Sequence, residues 1–213
     1  MAFPSTSVLD TFTRADNTDL GANWTTTVLV GDSAISIVSN QAGYADVDSS
    51  FRDEFWNPAT FGPDCEVYYT VATKPLVTTP VYLFLRLQSP GTSEVDGYYC
   101  EIVNQVATDD GGIYRLDNGA FTQLGASLSQ EWADGDGLGF EAIGSTIKAY
   151  RRSSGTWSEL ASRTDSTYGG AGNIGIGIQG NTPRLDDFGG GTFAGVVIPV
   201  IIASYYRRRL LNV

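Results

Sequence analysis

Val81-Tyr82-Leu83-Phe84-Leu85-Arg86-Leu87 sets an aliphatic side chain at every odd position and Tyr, Phe or Arg at every even one. Successive residues of a strand point to opposite faces, so this stretch packs its odd side and presents rings and charge on the other. Upstream, Cys65-Glu66-Val67-Tyr68-Tyr69-Thr70-Val71 has the same period, with positions 65, 67, 69 and 71 facing a core. Downstream, Gly97 to Val103 puts Tyr98, Cys100 and Ile102 on one side and Tyr99 and Glu101 on the other. Similar short runs, separated by Gly, Asp, Asn, Ser and Pro, fill the chain, and no helical stripe appears before residue 195. The pattern predicts an all-β fold, a two-sheet antiparallel β-sandwich.

The second half carries the turn chemistry. Asp117-Asn118-Gly119 joins Gly112-Ile113-Tyr114-Arg115-Leu116 to Phe121-Thr122-Gln123-Leu124 as a hairpin. Gly144-Ser145 and Ser153-Ser154-Gly155 turn the chain between strands through Leu138 to Ala142, Ile147 to Arg151 and Trp157 to Ala161. Asn173-Ile174-Gly175-Ile176-Gly177-Ile178 reads as a strand with one aliphatic face and one face of bare backbone, against which something can pack closely. Gly170-Ala171-Gly172-Asn173-Ile174-Gly175 spells a dinucleotide loop, but a period of two follows it where a helix would have to begin.

Composition excludes several functions. The 213 residues are 42% hydrophobic and 12% aromatic, enough for a core in one body. Histidine is absent, which removes Ser-His-Asp and Cys-His nucleophiles, a histidine acid/base and His-ligated zinc. A net charge of −11, with Arg207-Arg208-Arg209 as the one basic run, argues against nucleic acid. Cys65 and Cys100 take inward positions and read as buried thiols, a disulfide being the alternative. Met1 to Asp10 lacks a basic patch and an apolar stretch, so Sec export is not expected.

Leu9-Asp10-Thr11-Phe12-Thr13-Arg14-Ala15-Asp16, followed by Leu20-Gly21 and Trp24, resembles the opening of concanavalin A-like lectin/glucanase (laminin-G-like) jelly rolls. Gly135 to Ala142, Ile147 to Tyr150, Thr164 to Tyr168, Gly175 to Gly177 and Leu185-Asp186-Asp187-Phe188 are similar to that family's closing strands. The resemblance spans residues 7–191 and implies a jelly roll whose last strand, at Asp186-Asp187-Phe188, pairs near the first, at Asp10-Thr11-Phe12. It also suggests the attachment or decoration modules of tailed-bacteriophage virions, made in the host cytoplasm. The hydrolytic branch of the fold carries Glu-x-Asp-x-Glu or Glu-x-Asp-x-x-Glu on one strand, and no such run is present. Asp53 and Glu54 are adjacent, Glu66, Glu101 and Glu141 stand alone, and solvated strand faces account for them; the expectation is a protein that is not an enzyme.

Candidate sites are of three kinds. Tyr82, Phe84, Arg86, Tyr99, Glu101 and Arg115 form a carbohydrate face if their outward sides share one sheet. No cofactor is implied except calcium, for which Asp109-Asp110-Gly111-Gly112, Asp134-Gly135-Asp136-Gly137 and Asp186-Asp187 supply oxygens that also suit ordinary turns. After the sandwich of residues 1–191 comes a tail, 192–213, with an apolar stretch too short to span a bilayer. Its Val196, Val197, Ile198, Val200, Ile201, Ile202, Tyr205, Tyr206, Arg207, Arg208 and Arg209 read as a docking segment for other virion proteins or copies of itself. The reading favoured by the sequence is a structural or attachment protein anchored by that tail; the alternative is a carbohydrate-binding module for a cell-surface glycan.

Overall fold

A computed structural model describes residues 2–27, 29, 33–44 and 50–193. The tail residues Val196 to Arg209 singled out above therefore lie outside the described residues. In chain order the strands are β1 (Val8–Asp10), β2 (Trp24–Thr26), β3 (Ser36–Val38), β4 (Gln41–Gly43) and β5 (Phe51–Trp56). They continue with β6 (Cys65–Thr73), β7 (Pro80–Gln88), β8 (Asp96–Val103), β9 (Asp110–Asp117) and β10 (Ala120–Gln123). The set closes with β11 (Gly137–Ile143), β12 (Thr146–Ser153), β13 (Thr156–Thr164), β14 (Asn173–Gln179) and β15 (Arg184–Thr192). No helix interrupts them among the described residues.

Two antiparallel sheets form a sandwich. One has eight strands in the order β13-β12-β11-β6-β15-β4-β3, with β1 on β15; the other has seven, β10-β9-β8-β7-β14-β5-β2. The hairpins fall where the turn residues place them: Asp117 pairs Ala120, Ile143 pairs Thr146 and Ser153 pairs Thr156. The first and last strands meet as the resemblance implies, with Val8 opposite Gly189 and Asp10 opposite Phe188. Asp10 fixes that end of the sandwich. Its carboxylate accepts from the Phe12 amide, from Arg14 and from the Trp24 indole. Burial raises its pKa, but the Arg14 and Trp24 bonds outweigh that and leave it lowered.

The inner faces supply one continuous core. Val81, Leu83, Leu85, Tyr98, Cys100 and Ile102 from the seven-stranded sheet meet Val67, Tyr69, Val71, Phe140 and Leu185 from the other, each essentially without exposure. Burying each such aliphatic side chain contributes about 1.5–3 kcal/mol. Trp24, Trp56 and Trp132 join this core, while Trp157 of β13 lies on the outer face of the eight-stranded sheet. Both cysteines are buried free thiols. Burial pushes the Cys65 thiol up to about 12, against a smaller pull from Arg86, and raises Cys100 further. Iodoacetamide at pH 8 is accordingly expected to leave both unlabelled in the native protein and to label both in denaturant. Mass spectrometry of the alkylated protein checks this, and native labelling of either cysteine would contradict the inward placement.

The two outer faces differ, and that difference positions the site. On the eight-stranded sheet the N-terminal segment lies across the face. Phe3 stacks on Tyr150 at 4.1 Å and meets Trp157 edge-on at 5.0 Å. Glu66 Oε1 accepts from the Ser5 and Thr6 amides, both at 2.6 Å, and from both hydroxyls. The expectation of solvated acids fails here, because this cover buries Glu66 and leaves Glu141, opposite it across β6 and β11, only 8% exposed. Asp53 and Glu54 are buried as well. The outer face of the seven-stranded sheet carries the groove described next.

Candidate functional site

Rows of paired residues build the groove. In one row Asp53 of β5 lies opposite Gly177 of β14, Gly177 opposite Tyr82 of β7, Tyr82 opposite Glu101 of β8, and Glu101 opposite Gly112 of β9. The next row runs Phe55, Gly175, Phe84, Tyr99 and Tyr114 across the same strands. Leu116 of β9, opposite Phe121 of β10, extends the apolar wall. Between them is a cavity of about 470 Å³, lined by Tyr82, Phe84, Tyr99, Tyr114 and Phe121 and closed further by Leu29 and Phe51. That size falls within the range of small-molecule sites, about 300–1,000 Å³.

The rings are mutually braced. Tyr99 stacks on Tyr114 with centroids 4.7 Å apart and planes 6° from parallel. It meets Tyr82 edge-on at 5.7 Å and Phe84 at 6.1 Å. Phe121, 70% exposed, stands edge-on to Tyr114 at the rim. The bare backbone of β14 has a definite use: a Cβ at Gly177 would lie 2.2 Å from Asp53 Oδ1 and 2.8 Å from the Tyr82 ring. The missing side chain is the space that the carboxyl and the ring occupy.

Two carboxyl groups sit in this apolar setting. Asp53 is 2% exposed, and its Oδ1 has no hydrogen-bond partner. Burial alone raises its pKa from 3.8 to about 7. Burial also raises Glu101, partly opposed by the Tyr114 hydroxyl beside it. For Asp53 the native state holds the proton more tightly than the unfolded chain does. Its contribution to stability therefore falls as pH rises from about 4 to about 7 and stays unfavourable above. Asp53→Asn is expected to change stability little at pH 4 and to raise it by about 1–3 kcal/mol at pH 8. Chemical denaturation at the two pH values checks this; an equal effect at both would contradict the buried, uncompensated carboxyl.

Of the six residues expected on a carbohydrate face, Tyr82, Phe84, Tyr99 and Glu101 line the groove. Arg86 does not. A bulge in β7 shifts the register between Leu85 and Gln88, with Arg86 at φ 52°, so the alternation reverses there. Leu87 moves to the outer cluster, and Arg86 turns inward, fully buried. Its guanidinium donates to the Pro63, Gly144 and Tyr168 carbonyls at 2.6, 3.0 and 3.1 Å. Gly97 sits opposite the bulge at φ +136°, where a Cβ would come within 2.8 Å of the Arg86 carbonyl oxygen. Arg115 also departs from the expected face. It shares the parity of inward Ile113, pairs with Tyr98, and is held by Asp117 and Asp165, each at 2.8 Å. Burial would raise the Asp165 pKa, but bonds from Tyr98, Thr167 and Arg115 outweigh it and hold it at about 2.

Sequence reasoning missed Asp53, Tyr114, Leu116 and Phe121 as groove residues. The bare face of β14 was the one signal pointing toward Asp53. The acids proposed for calcium, Asp187 apart, have other partners. Asp109 accepts from Trp132 and Gln105 amides and pairs with Lys74 at 2.6 Å; Asp136 accepts from Ala133 N and pairs with Arg151 at 2.7 Å. Asp110 and Asp186 each accept from the next amide, and Asp134 from Lys74 N. Among the described residues no group of three or more His, Cys, Asp or Glu side chains could hold a metal ion. No described helix is long and apolar enough to cross a membrane.

Comparison with solved structures places this architecture. The carbohydrate binding module CBM66 from Bacillus subtilis superposes with a TM-score of 0.58 at 18% identity, over 80% of this chain and 94% of that one. The legume lectin-like domain from Entamoeba histolytica gives 0.55 at 10% identity, over 81% and 91%. The VIP36 exoplasmic/lumenal domain in its Ca2+/Man2-bound form gives 0.60 at 9% identity, over 91% and 90%. The fold is a lectin-like jelly roll. No family model matches the chain, and no curated protein matches it in sequence.

Proposed function

We propose that this protein binds carbohydrate in the groove on the outer face of its seven-stranded sheet. The observation that carries the reading is the braced row of rings, Phe84, Tyr99 and Tyr114, set beside two hydrogen-bonding carboxyls in one concave cavity. A saccharide has apolar C–H faces that stack on rings and hydroxyls that need oriented acceptors, and this lining supplies both. The likeness in fold to a carbohydrate binding module and to a mannose-bound domain supports it.

Binding fits better than hydrolysis. Asp53 and Glu101 share a row but lie three strands apart, about 14 Å between backbones, with Tyr82 between them. Neither carboxyl contributes to the other's ionisation. Glycosidase pairs stand closer, about 5–9.5 Å between carboxyls, flanking one bond.

A panel of immobilised oligosaccharides probed with the purified protein tests the proposal. Binding to at least one glycan is expected, with about a fivefold loss in Phe121→Ala, whose exposed ring can be removed with little cost to folding. Retained binding in that variant together with Tyr99→Ala would overturn the assignment to this groove. Attachment through the C-terminal stretch is a separate proposal resting on sequence, and deletion of residues 194–213 tests it by loss of incorporation into a virion.

A further inference from the structure

The groove's lining has one electrical sign. Six aromatic rings, of Phe51, Tyr82, Phe84, Tyr99, Tyr114 and Phe121, and the two acids Asp53 and Glu101 line it, and no Lys or Arg is among the lining residues. The described arginines nearest in sequence are engaged elsewhere: Arg52, the buried chain neighbour of Asp53, sets its guanidinium 3.4 Å over the Tyr44 ring, Arg86 donates to carbonyls beneath the sheet, and Arg115 pairs with Asp117 and Asp165. Asp53 is the least compensated of the lining groups, nine-tenths and more buried, with its unpartnered Oδ1 lying against the bare backbone of Gly177. Buried carboxyls ordinarily have a cation or several donors beside them. In the free protein burial keeps a proton on Asp53, and a cationic ligand is what would take that proton's place.

Resting on the carbohydrate reading, we infer that the groove selects a saccharide bearing a free ammonium group, an amino sugar, over neutral and anionic ones. An ammonium cation gains from the rings and from whichever of the two carboxyls, Asp53 or Glu101, it lies beside. A neutral sugar can use only stacking and hydroxyl hydrogen bonds, while a uronic acid or sulfated sugar meets like charge. The chain's net charge of −11 adds long-range attraction for a cationic oligosaccharide. The other groups facing Asp53 are Tyr82, Tyr99 and, along the row, Glu101, so nothing cationic competes for it among the described residues.

Isothermal titration at pH 6.5 and constant ionic strength, with three β-1,4-linked hexasaccharides, tests this. The probes are the glucosamine hexamer, the N-acetylglucosamine hexamer and cellohexaose. The expected result is at least tenfold tighter binding of the glucosamine hexamer than of either neutral probe. That preference should narrow to threefold or less in Asp53→Asn, and Glu101→Gln should narrow it in part, providing a second variant if the first folds poorly. Because an acidic protein attracts any polycation, Tyr99→Ala must also abolish glucosamine-hexamer binding; binding that survives it is non-specific and overturns the inference. Equal affinities for the three probes would overturn the ammonium preference and leave carbohydrate binding standing. Failure of all three, together with a silent glycan panel, would overturn the carbohydrate reading itself.

Discussion

Arg86→Ala is expected to lower the unfolding free energy by about 3–5 kcal/mol, measured by urea denaturation at neutral pH. Arg86 is the largest fully buried side chain in the molecule's described part. Its three acceptors come from different places: Pro63 precedes β6, Gly144 turns β11 into β12, and Tyr168 lies between β13 and β14. The guanidinium therefore joins the seven-stranded sheet, from which it projects, to the end of the eight-stranded sheet and to the connection between them. Alanine would take the donor from three carbonyls and leave a cavity in place of the largest fully buried side chain, and the cavity alone costs about 2–5 kcal/mol at such sites. Part of this is offset because a buried charge is also removed. Arg86→Lys should recover less than half of the loss, since one ammonium cannot satisfy three carbonyls fixed around a planar fork. A loss below about 1 kcal/mol in the alanine variant would mean that the clamp is dispensable.

Tyr99→Ala is expected to weaken glycan binding about a hundredfold. Tyr99 touches Tyr82, Phe84 and Tyr114, so its removal deletes the central stacking surface and also frees its neighbours from their fixed planes. Truncation of a central aromatic anchor typically costs about 2–4 kcal/mol of binding, and a hundredfold loss corresponds to the middle of that range. Tyr99→Phe keeps the ring and should stay within about threefold of the parent. Because Tyr99 is 7% exposed, the alanine variant will also lose stability, and a melting curve must show it folded at the assay temperature. Unchanged affinity in a folded Tyr99→Ala protein would place the binding surface elsewhere.

The fold was legible because the period of two survives along most strands. Residues 81–85 and 98–102 face the sides that their alternation assigns, and the Asn118-Gly119 and Ser154-Gly155 turns sit where the dipeptides predict. The site was only half legible. Arg86 follows five correctly facing residues, and what reverses it is a bulge set by packing against Gly97 on the neighbouring strand, a pairing that sequence alone does not supply. Arg115 could have been placed by its parity with Ile113. Asp53 could not, because Phe51 to Trp56 shows no alternation: Arg52, Asp53 and Glu54 are all buried in succession. Its neighbourhood with Glu101 depends on the order β8-β7-β14-β5, in which strands distant in the chain become adjacent. The acids of the other sheet are misread for a related reason, since the segment that covers Glu66 comes from the N-terminus, 60 residues away in the chain.

The most direct measurement is a two-dimensional NMR titration of the isotopically labelled protein with the tightest-binding glycan from the panel. Saturable shifts are expected, centred on the Gly175 and Gly177 amides and on Tyr99, Glu101 and Tyr114, with Phe3, Tyr150 and Trp157 on the opposite face unmoved. Shifts confined to that opposite face, or to the loops at the ends of the sandwich, would contradict it.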